Sequence, residues 1–495
     1  MKKLSFLMAA LLVAMTGCQK EPQVETQGND ADHYVAVNIN LPRTMGTKAN
    51  DDYANGLDEE FKVNDITLVF YTETGAYVEL AKNVANSWGS ENAEDSQITI
   101  SGKTAAVKVS SGSIKKVLVL VNSKNVAESN YKDKSFSEFQ EKVLEGADLT
   151  GDGFFMCNAP AYKTSAFETL ADVTVQSTET DALNSPATVN VERAVAKVQV
   201  DFGTNDFNVD TYYPVGGNFS KVTFANWALN TVNTKTYAVR NYDEVGGTSW
   251  WNTGLWVNNS LSGSDRLYFS VDPNYNGTGV PADFTKLTTD PDQNDDAYVY
   301  CYENTFDINN MKENQTTAVV LKGTFTPANF TSGQTWYMVG AAKEPKTETE
   351  LIAAFASAGV PVAAGDLSWE KNVLKWDVPA YSAAEGAIGN VVRYVNGVCY
   401  YPVLIRHFTY DELGYASEEA FMTNFETNDG YVNKDLGRYG VVRNNWYKLT
   451  VNSVSEPGSP VIPEPGTGDD DKITRYCACT IDILAWNLRN QSVDL

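Results

Sequence analysis

Apolar and polar residues alternate along most of the chain, in short runs broken by clusters of Gly, Asn, Asp and Pro. Successive side chains of a strand point to opposite faces, so alternation predicts strands with one face buried. The first run is the clearest. Val35, Val37, Ile39 and Leu41 share one face, while Ala36, Asn38 and Asn40 take the other. Ile66–Tyr71 and Lys116–Val121 are nearly continuous in apolar character, which predicts strands covered on both faces. Val391–Val395 and Val398–Ile405 flank Asn396-Gly397, a pair suited to positive φ at both turn positions, and together they predict a β-hairpin.

Helical periodicity is scarce. Ser135 to Gly146 opens with the capping box Ser135-x-x-Glu138 and sets Phe136, Phe139 and Val143 on one stripe. Thr347 to Gly359 repeats the device with Thr347 and Glu350, ahead of Leu351, Ala354 and Phe355; a shorter helix is predicted over Ser417 to Phe425. Many short strands and few helices predict an all-β fold with a few short helices, built from antiparallel β-sandwiches.

A chain of 495 residues exceeds one typical core, so two domains are expected. The polar stretch Gln176 to Pro186 is read as the boundary, giving β-sandwich domains at 44–185 and 186–455. Just beyond it, Val189 to Val200 changes its apolar phase from odd to even positions, the signature of a bulge or of a strand changing sheets. Residues 456–472 are rich in Pro and Gly and end in Asp469-Asp470-Asp471. They read as a linker between the last strand of the body, Trp446 to Val454, and a tail at 473–495.

Within that tail Cys477, Cys479, Ile481 and Ile483 repeat the alternation of the first strand, with Ala478, Thr480 and Asp482 opposite and Trp486 and Leu488 following after a phase shift. Directly after the first strand, Pro42-Arg43-Thr44 opens a Gly-, Asn- and Asp-rich stretch that extends to Gly56, the composition of an exposed protease-sensitive loop. A cut there would free the first strand and leave a groove of unpaired backbone and apolar surface. A strand of matching alternation would fill it, as in strand-addition binding. The alternative is that both strands pair within one subunit and never exchange.

Composition narrows the function. Hydrophobic residues make up 43% and aromatics 12%, ample for burial and unlike a disordered scaffold. The formal charge is −25, from 38 Lys+Arg against 63 Asp+Glu, which argues against nucleic-acid partners because phosphate neutralisation needs a basic face. Residues 1–17 read as a lipoprotein signal peptide: Lys2 and Lys3 precede an apolar run from Leu4 to Met15, and Thr16-Gly17-Cys18 resembles a bacterial lipobox with Cys18 as the lipid site. Residues 18–43 are then a propeptide carrying the strand to be removed. With Cys18 assigned, Cys157, Cys301, Cys399, Cys477 and Cys479 remain, an odd number that is no disulfide framework and reads as small apolar side chains.

Catalytic and metal chemistry finds little support. Only His33 and His407 occur, and the first lies in the segment to be removed, so a His-dependent triad or an ordinary zinc site is disfavoured. Asp290-x-Asp292-x-Asn294 begins like a calcium loop, but Asp295 replaces the required Gly and Cys301 the required Glu. The expectation is a protein without enzymatic activity, cofactor or metal. Trp250, Trp251 and Trp256 could form a carbohydrate-stacking platform, which defines the alternative function: a surface glycan-binding lipoprotein of a polysaccharide-uptake system.

The lipobox leader, the strand ending at Arg43, Val191-Glu192-Arg193-Ala194-Val195-Ala196-Lys197-Val198, Tyr439-Gly440-Val441-Val442-Arg443-Asn444, and the closing Trp486-Asn487 through Val493-Asp494-Leu495 resemble the Bacteroidales type V pilins. The likeness is greatest to major shaft subunits of the short, or minor, fimbriae. It implies two transthyretin-like β-sandwich domains and a C-terminal donor-strand tail. It further implies export as a lipoprotein to the outer membrane and cleavage by an arginine-specific protease between Arg43 and Thr44. The strand holding Val35, Val37, Ile39 and Leu41 is then lost, and a neighbour's Ile473, Cys477, Cys479, Ile481, Ile483, Trp486 and Leu488 replace it. The implied partners are identical subunits in a fibre, anchor and tip subunits, and an unknown host or bacterial receptor in adhesion and biofilm formation.

Overall fold

The computed structural model describes residues 32–41, 57, 60, 62–83, 98–101, 104–145, 149–151, 153–163, 166–204, 206–242, 270–274, 283–472 and 477–485. Strands β1 (His33–Asn40), β2 (Ile66–Tyr71), β3 (Tyr77–Asn83), β4 (Ile98–Ser101), β5 (Thr104–Val109), β6 (Lys116–Val121), β7 (Met156–Asn158) and β8 (Ala187–Arg193) run in the order β3-β2-β6-β7-β8-β1-β5-β4, with Ala171–Asp172 also joining β6. The sheet turns over on β8, whose residues 187–190 pair in parallel with β1 and whose residues 191–193 pair antiparallel with β7. The inward side chains of β1 and β5 therefore meet those of β2 and β6. Val35, Val37, Ile39 and Val107 share one core with Leu68, Phe70, Leu118 and Leu120. All six residues of β2 and all six of β6 are buried, as their continuous apolar sequence requires.

A second core follows at once. Strands β9 (Ala196–Asp201), β10 (Asp206–Val209), β11 (Ser220–Asn230), β12 (Tyr298–Cys301), β13 (Ala318–Thr326), β14 (Val398–Leu404), β15 (Asn445–Val454) and β16 (Cys477–Ala485) form two sheets, β12-β9-β15-β16 and β10-β11-β13-β14. Val198, Val200, Tyr447 and Leu449 of the first sheet pack with Val222, Phe224, Trp227, Leu321 and Tyr401 of the second. Between β13 and β14 the chain builds a smaller five-stranded sheet in the order Glu344–Lys346, Trp336–Val339, Val391–Tyr394, Val373–Leu374 and Trp369–Glu370.

The helices are short and start where their caps predict. In α1 (Phe136–Gln140) the Ser135 hydroxyl accepts from the Glu138 amide, and the Glu138 carboxylate accepts from the Ser135 amide at 2.8 Å. The helix is shorter than expected because Val143 leaves it for a strand paired with Lys235–Tyr237. A second helix, α2 (Glu179–Asn184), occupies the polar stretch read as the domain boundary. The capping box of Thr347 and Glu350 starts α3 (Glu348–Ser357), and Ser417 caps α4 (Glu418–Asn428).

Two local readings are corrected. Asn396 and Gly397 have φ of 53° and 72°, yet they close no hairpin. The strand before them pairs with Trp336–Val339 and the strand after them with β13, so the turn carries the chain from one sheet to another. A Cβ on Gly397 would stand 2.6 Å from the Phe325 carbonyl oxygen, so close approach as well as φ demands glycine. The change of core also falls later than 185/186. β8 still belongs to the first sheet, Ala194 and Val195 to the first core, and Ala196 to the second.

Candidate assembly site

β1 lies inside its sheet, between β5 and β8. Val35, Ala36 and Val37 stand opposite Val107, Ala106 and Ala105 on the antiparallel side, while Val37 to Asn40 run in parallel beside Ala187 to Asn190. Its inward residues Val35, Val37 and Ile39 are each 0% exposed, and Leu41 packs on the same core beyond the end of the strand. On the other face Ala36 and Ala106 lie beneath Ala182 of α2. The Asn40 side-chain amide donates to Asn190 Oδ1 at 3.0 Å. Arg43 and Thr44 lie outside the described residues, as do Cys18, Ile473, Trp486, Leu488, Trp250, Trp251 and Trp256.

The C-terminal strand β16 pairs antiparallel with β15 of the same chain, at the edge of the sheet β12-β9-β15-β16. Tyr447 stands opposite Ile483, Leu449 opposite Ile481 and Val451 opposite Cys479, with a bulge before Ala478 and Cys477. Cys479 is partly buried against the second core. Here both strands with matching alternation are paired within one subunit.

Residues 456–472 are no free linker but a strap packed on the second half of the chain. Ser459 exchanges backbone hydrogen bonds of 2.8 Å with Tyr400, and a Cβ on Gly458 would come within 2.4 Å of the Tyr400 carbonyl oxygen. The acidic run ends the strap inside the protein. Lys312 Nζ lies 2.7 Å from Asp469, and the Thr316 hydroxyl donates to Asp470 at 2.5 Å. Asp471 takes Arg438 Nε at 2.8 Å and Nη2 at 3.1 Å, and the Tyr439 hydroxyl at 2.8 Å. Both partners of the Arg438–Asp471 pair have fully buried side chains. Burial holds the Asp470 carboxyl well above the usual carboxylate range, with Asp471, Glu313 and Asp469 adding to it. Alternation and Pro/Gly content could not reveal this, because the partners Arg438 and Thr316 are remote in sequence.

Removing the anchor should loosen the strap alone. Asp471→Ala is expected to speed amide exchange across Ser459 to Lys472 by roughly tenfold or more while β11 and β13 keep their protection, since local opening follows local contacts. Hydrogen-exchange mass spectrometry reads this directly. Unchanged exchange would show that Arg438 does not hold the strap.

Two of the strings that carried the sequence resemblance, 191–198 and 439–444, lie where the two cores meet, and their charges are buried there. Glu192, at the end of β8, receives both Arg240 Nε at 2.8 Å and Nη2 at 2.7 Å. Arg193 Nη2 donates to the Glu60 carbonyl at 3.1 Å, and Lys197 Nζ and Tyr300 Oη donate to the Glu60 carboxylate at 2.8 and 2.5 Å. The Lys197 ammonium also sits 3.9 Å from the Trp446 ring centroid, a cation–π contact. Arg443 reaches Glu303 through Nε at 2.9 Å and through Nη2, which also donates to the Tyr237 carbonyl at 2.7 Å. Charged residues embedded in otherwise apolar runs were the available signal. Their partners Glu60, Arg240 and Glu303 come from other segments and carry no local mark.

The remaining candidates take structural places. Among the described residues, no group of three or more His, Cys, Asp or Glu is arranged to hold a metal ion. His407 Nδ1 is 2.8 Å from the Tyr447 hydroxyl in the core. Asp290 is bound by Lys322 Nζ and the Tyr400 hydroxyl, each at 2.6 Å. Burial pushes the Cys157 and Cys301 thiols up to about 12 and the Cys399 thiol to about 11, so they remain uncharged at neutral pH.

Residues 392–492 match a family described as major fimbrial subunit protein type IV, fimbrillin, C-terminal. The matched segment runs from the Asn396-Gly397 corner through the strap to β16. Among solved structures, a fimbrilin from Porphyromonas gingivalis W83 aligns at 13% identity over 92% of this chain and 98% of its own, with a TM-score of 0.38. The tip fimbrial protein Mfa3 of Porphyromonas gingivalis, with a C-terminal truncation, aligns at 13% identity over 92% and 100%, with a TM-score of 0.37. No curated protein matches the chain by sequence.

Proposed function

We propose that this chain is the structural shaft subunit of a cell-surface fimbria, a type V pilin that polymerises by strand exchange after proteolysis. Its C-terminal region is that of the fimbrillin family. The observation that carries the finer reading is the place of β1, a strand near the start of the chain that nevertheless sits inside its sheet between β5 and β8. Excising it would open a slot with unpaired backbone on both sides and three vacated core positions. Buried backbone groups without partners are costly, so such a slot demands a replacement strand. The β16 segment has the required alternation, and the strap anchored at Asp471 keeps the body intact up to the point where the tail departs.

In this reading the precursor reaches the outer membrane as a lipoprotein bearing its lipid on Cys18, and an arginine-specific protease cuts after Arg43. Lipid and β1 leave together, and the neighbour's tail takes the slot. Each subunit has both a slot and a tail, which suits a shaft; anchor and tip subunits would sit at the fibre ends and meet the surface or a receptor.

Mature subunits are expected to begin at Thr44. Fibres sheared from cells and examined by N-terminal sequencing and intact mass should show that terminus and no lipid. Uncut chains lipidated at Cys18 inside assembled fibres would overturn the reading.

A further inference from the structure

The slot occupied by β1 is closed on two faces, and the outer closure selects a register. We infer that an incoming tail seats Ala478 in the place of Ala36, which puts Cys477, Cys479, Ile481 and Ile483 in the places of Val35, Val37, Ile39 and Leu41. The inference rests on the strand-exchange reading above and adds the alignment that the reading leaves open.

On the outward face of β1, Ala36 is 3% exposed, its cross-strand partner Ala106 is 1% exposed, and Ala182 of α2 above them is 1% exposed. These three residues belong to the body or to the strand that leaves, so the ceiling formed by Ala106 and Ala182 remains after excision. Only a methyl-sized side chain fits beneath it without overpacking. Alternation allows the tail to slide only by even steps, because an odd step turns its apolar residues outward. The outward positions of the tail are then Tyr476, Ala478, Thr480, Asp482 and Leu484. Ala478 alone is as small as the residue it replaces. A slide of two residues brings Thr480 or Tyr476 under the helix.

The same alignment suits the rest of the slot. Ile481 replaces an identical Ile39, and Thr480 takes the half-buried site of Asn38, opposite Thr104. Asp482 comes beside Asn190, whose side-chain amide, turned round, donates to the new carboxylate as it now accepts from Asn40.

The test is a set of paired cysteines in the full-length chain, with Cys477→Val and Cys479→Val as background. Thr104→Cys is combined with Thr480→Cys, Asp482→Cys or Ala478→Cys, and each chain is assembled by protease treatment and oxidised. Directly opposed residues of antiparallel strands lie within disulfide range, whereas residues two steps away do not. The Thr480→Cys pair is expected to give a boiling-resistant, reductant-sensitive ladder at least tenfold stronger than either other pair. A ladder from Asp482→Cys or Ala478→Cys instead overturns the register and leaves the exchange standing. If no pair links while the parent carrying only Cys477→Val and Cys479→Val forms its heat-sensitive ladder, the tail does not enter beside β5, and the exchange reading falls with the register.

Discussion

Truncation after Lys472 is expected to leave a folded body that forms no heat-sensitive, detergent-resistant ladder after trypsin treatment. The body survives because β9 and β15 pair in parallel and the strap stays anchored through Asp469, Asp470 and Asp471, all before the cut. Its thermal midpoint should move by only a few degrees, since the loss is an edge strand rather than an inner one. The point variant Ile481→Asp should lose most of the ladder too. Its alternation phase is that of Ile39, which is fully buried, and an unpaired carboxylate in such a site costs several kcal/mol. Thr480→Asp should retain the ladder, because that position falls on the opposite face, in phase with half-buried Asn38. Equal ladders from the parent, the truncation and Ile481→Asp would show that the tail is not the donor.

Arg443→Met should destabilise the chain by roughly 3–5 kcal/mol, the cost of leaving a buried carboxylate without its cation. Arg443 and Glu303 have fully buried side chains, and among the described residues the Ser270 hydroxyl and Arg443 donate to that carboxylate. The double variant Arg443→Met with Glu303→Gln should recover most of the loss, since the stranded charge is then gone. Guanidinium unfolding of all three chains measures both effects. A loss below about 1 kcal/mol for the single variant would mean that water reaches Glu303 and the pair is not sealed. The pair stands near the place where the cores meet, since the neighbouring Asn444 side chain accepts from the Arg193 amide at 3.2 Å.

Readability followed the range of the interactions involved. The capping boxes at Ser135 and Thr347 were legible because their donors and acceptors lie three residues apart. The inward face of β1 was legible because alternation is a property of the strand itself, and Val35, Val37 and Ile39 are buried as the pattern requires. The Asn396-Gly397 turn was half legible: its positive φ values are local, but its role as a corner depends on β13 and on Trp336–Val339. The acidic end of the strap was read as the end of a linker because its composition is that of a loop, and three consecutive carboxylates offer no sign of a remote arginine.

By itself, the sequence determined the all-β character, the buried face of β1, the starts of α1, α3 and α4, and the resemblance carried by the strings around Glu192 and Arg443. Those features depend on neighbours within a few residues, where backbone geometry sets which side chains share a face. Only the tertiary structure decided that β1 is an inner strand under α2, that the strap is pinned by Arg438, and that Glu60 joins the two cores through Lys197 and Tyr300. Each of these brings together groups from distant segments, and it is burial, not sequence spacing, that forces buried charges and backbone groups to find partners.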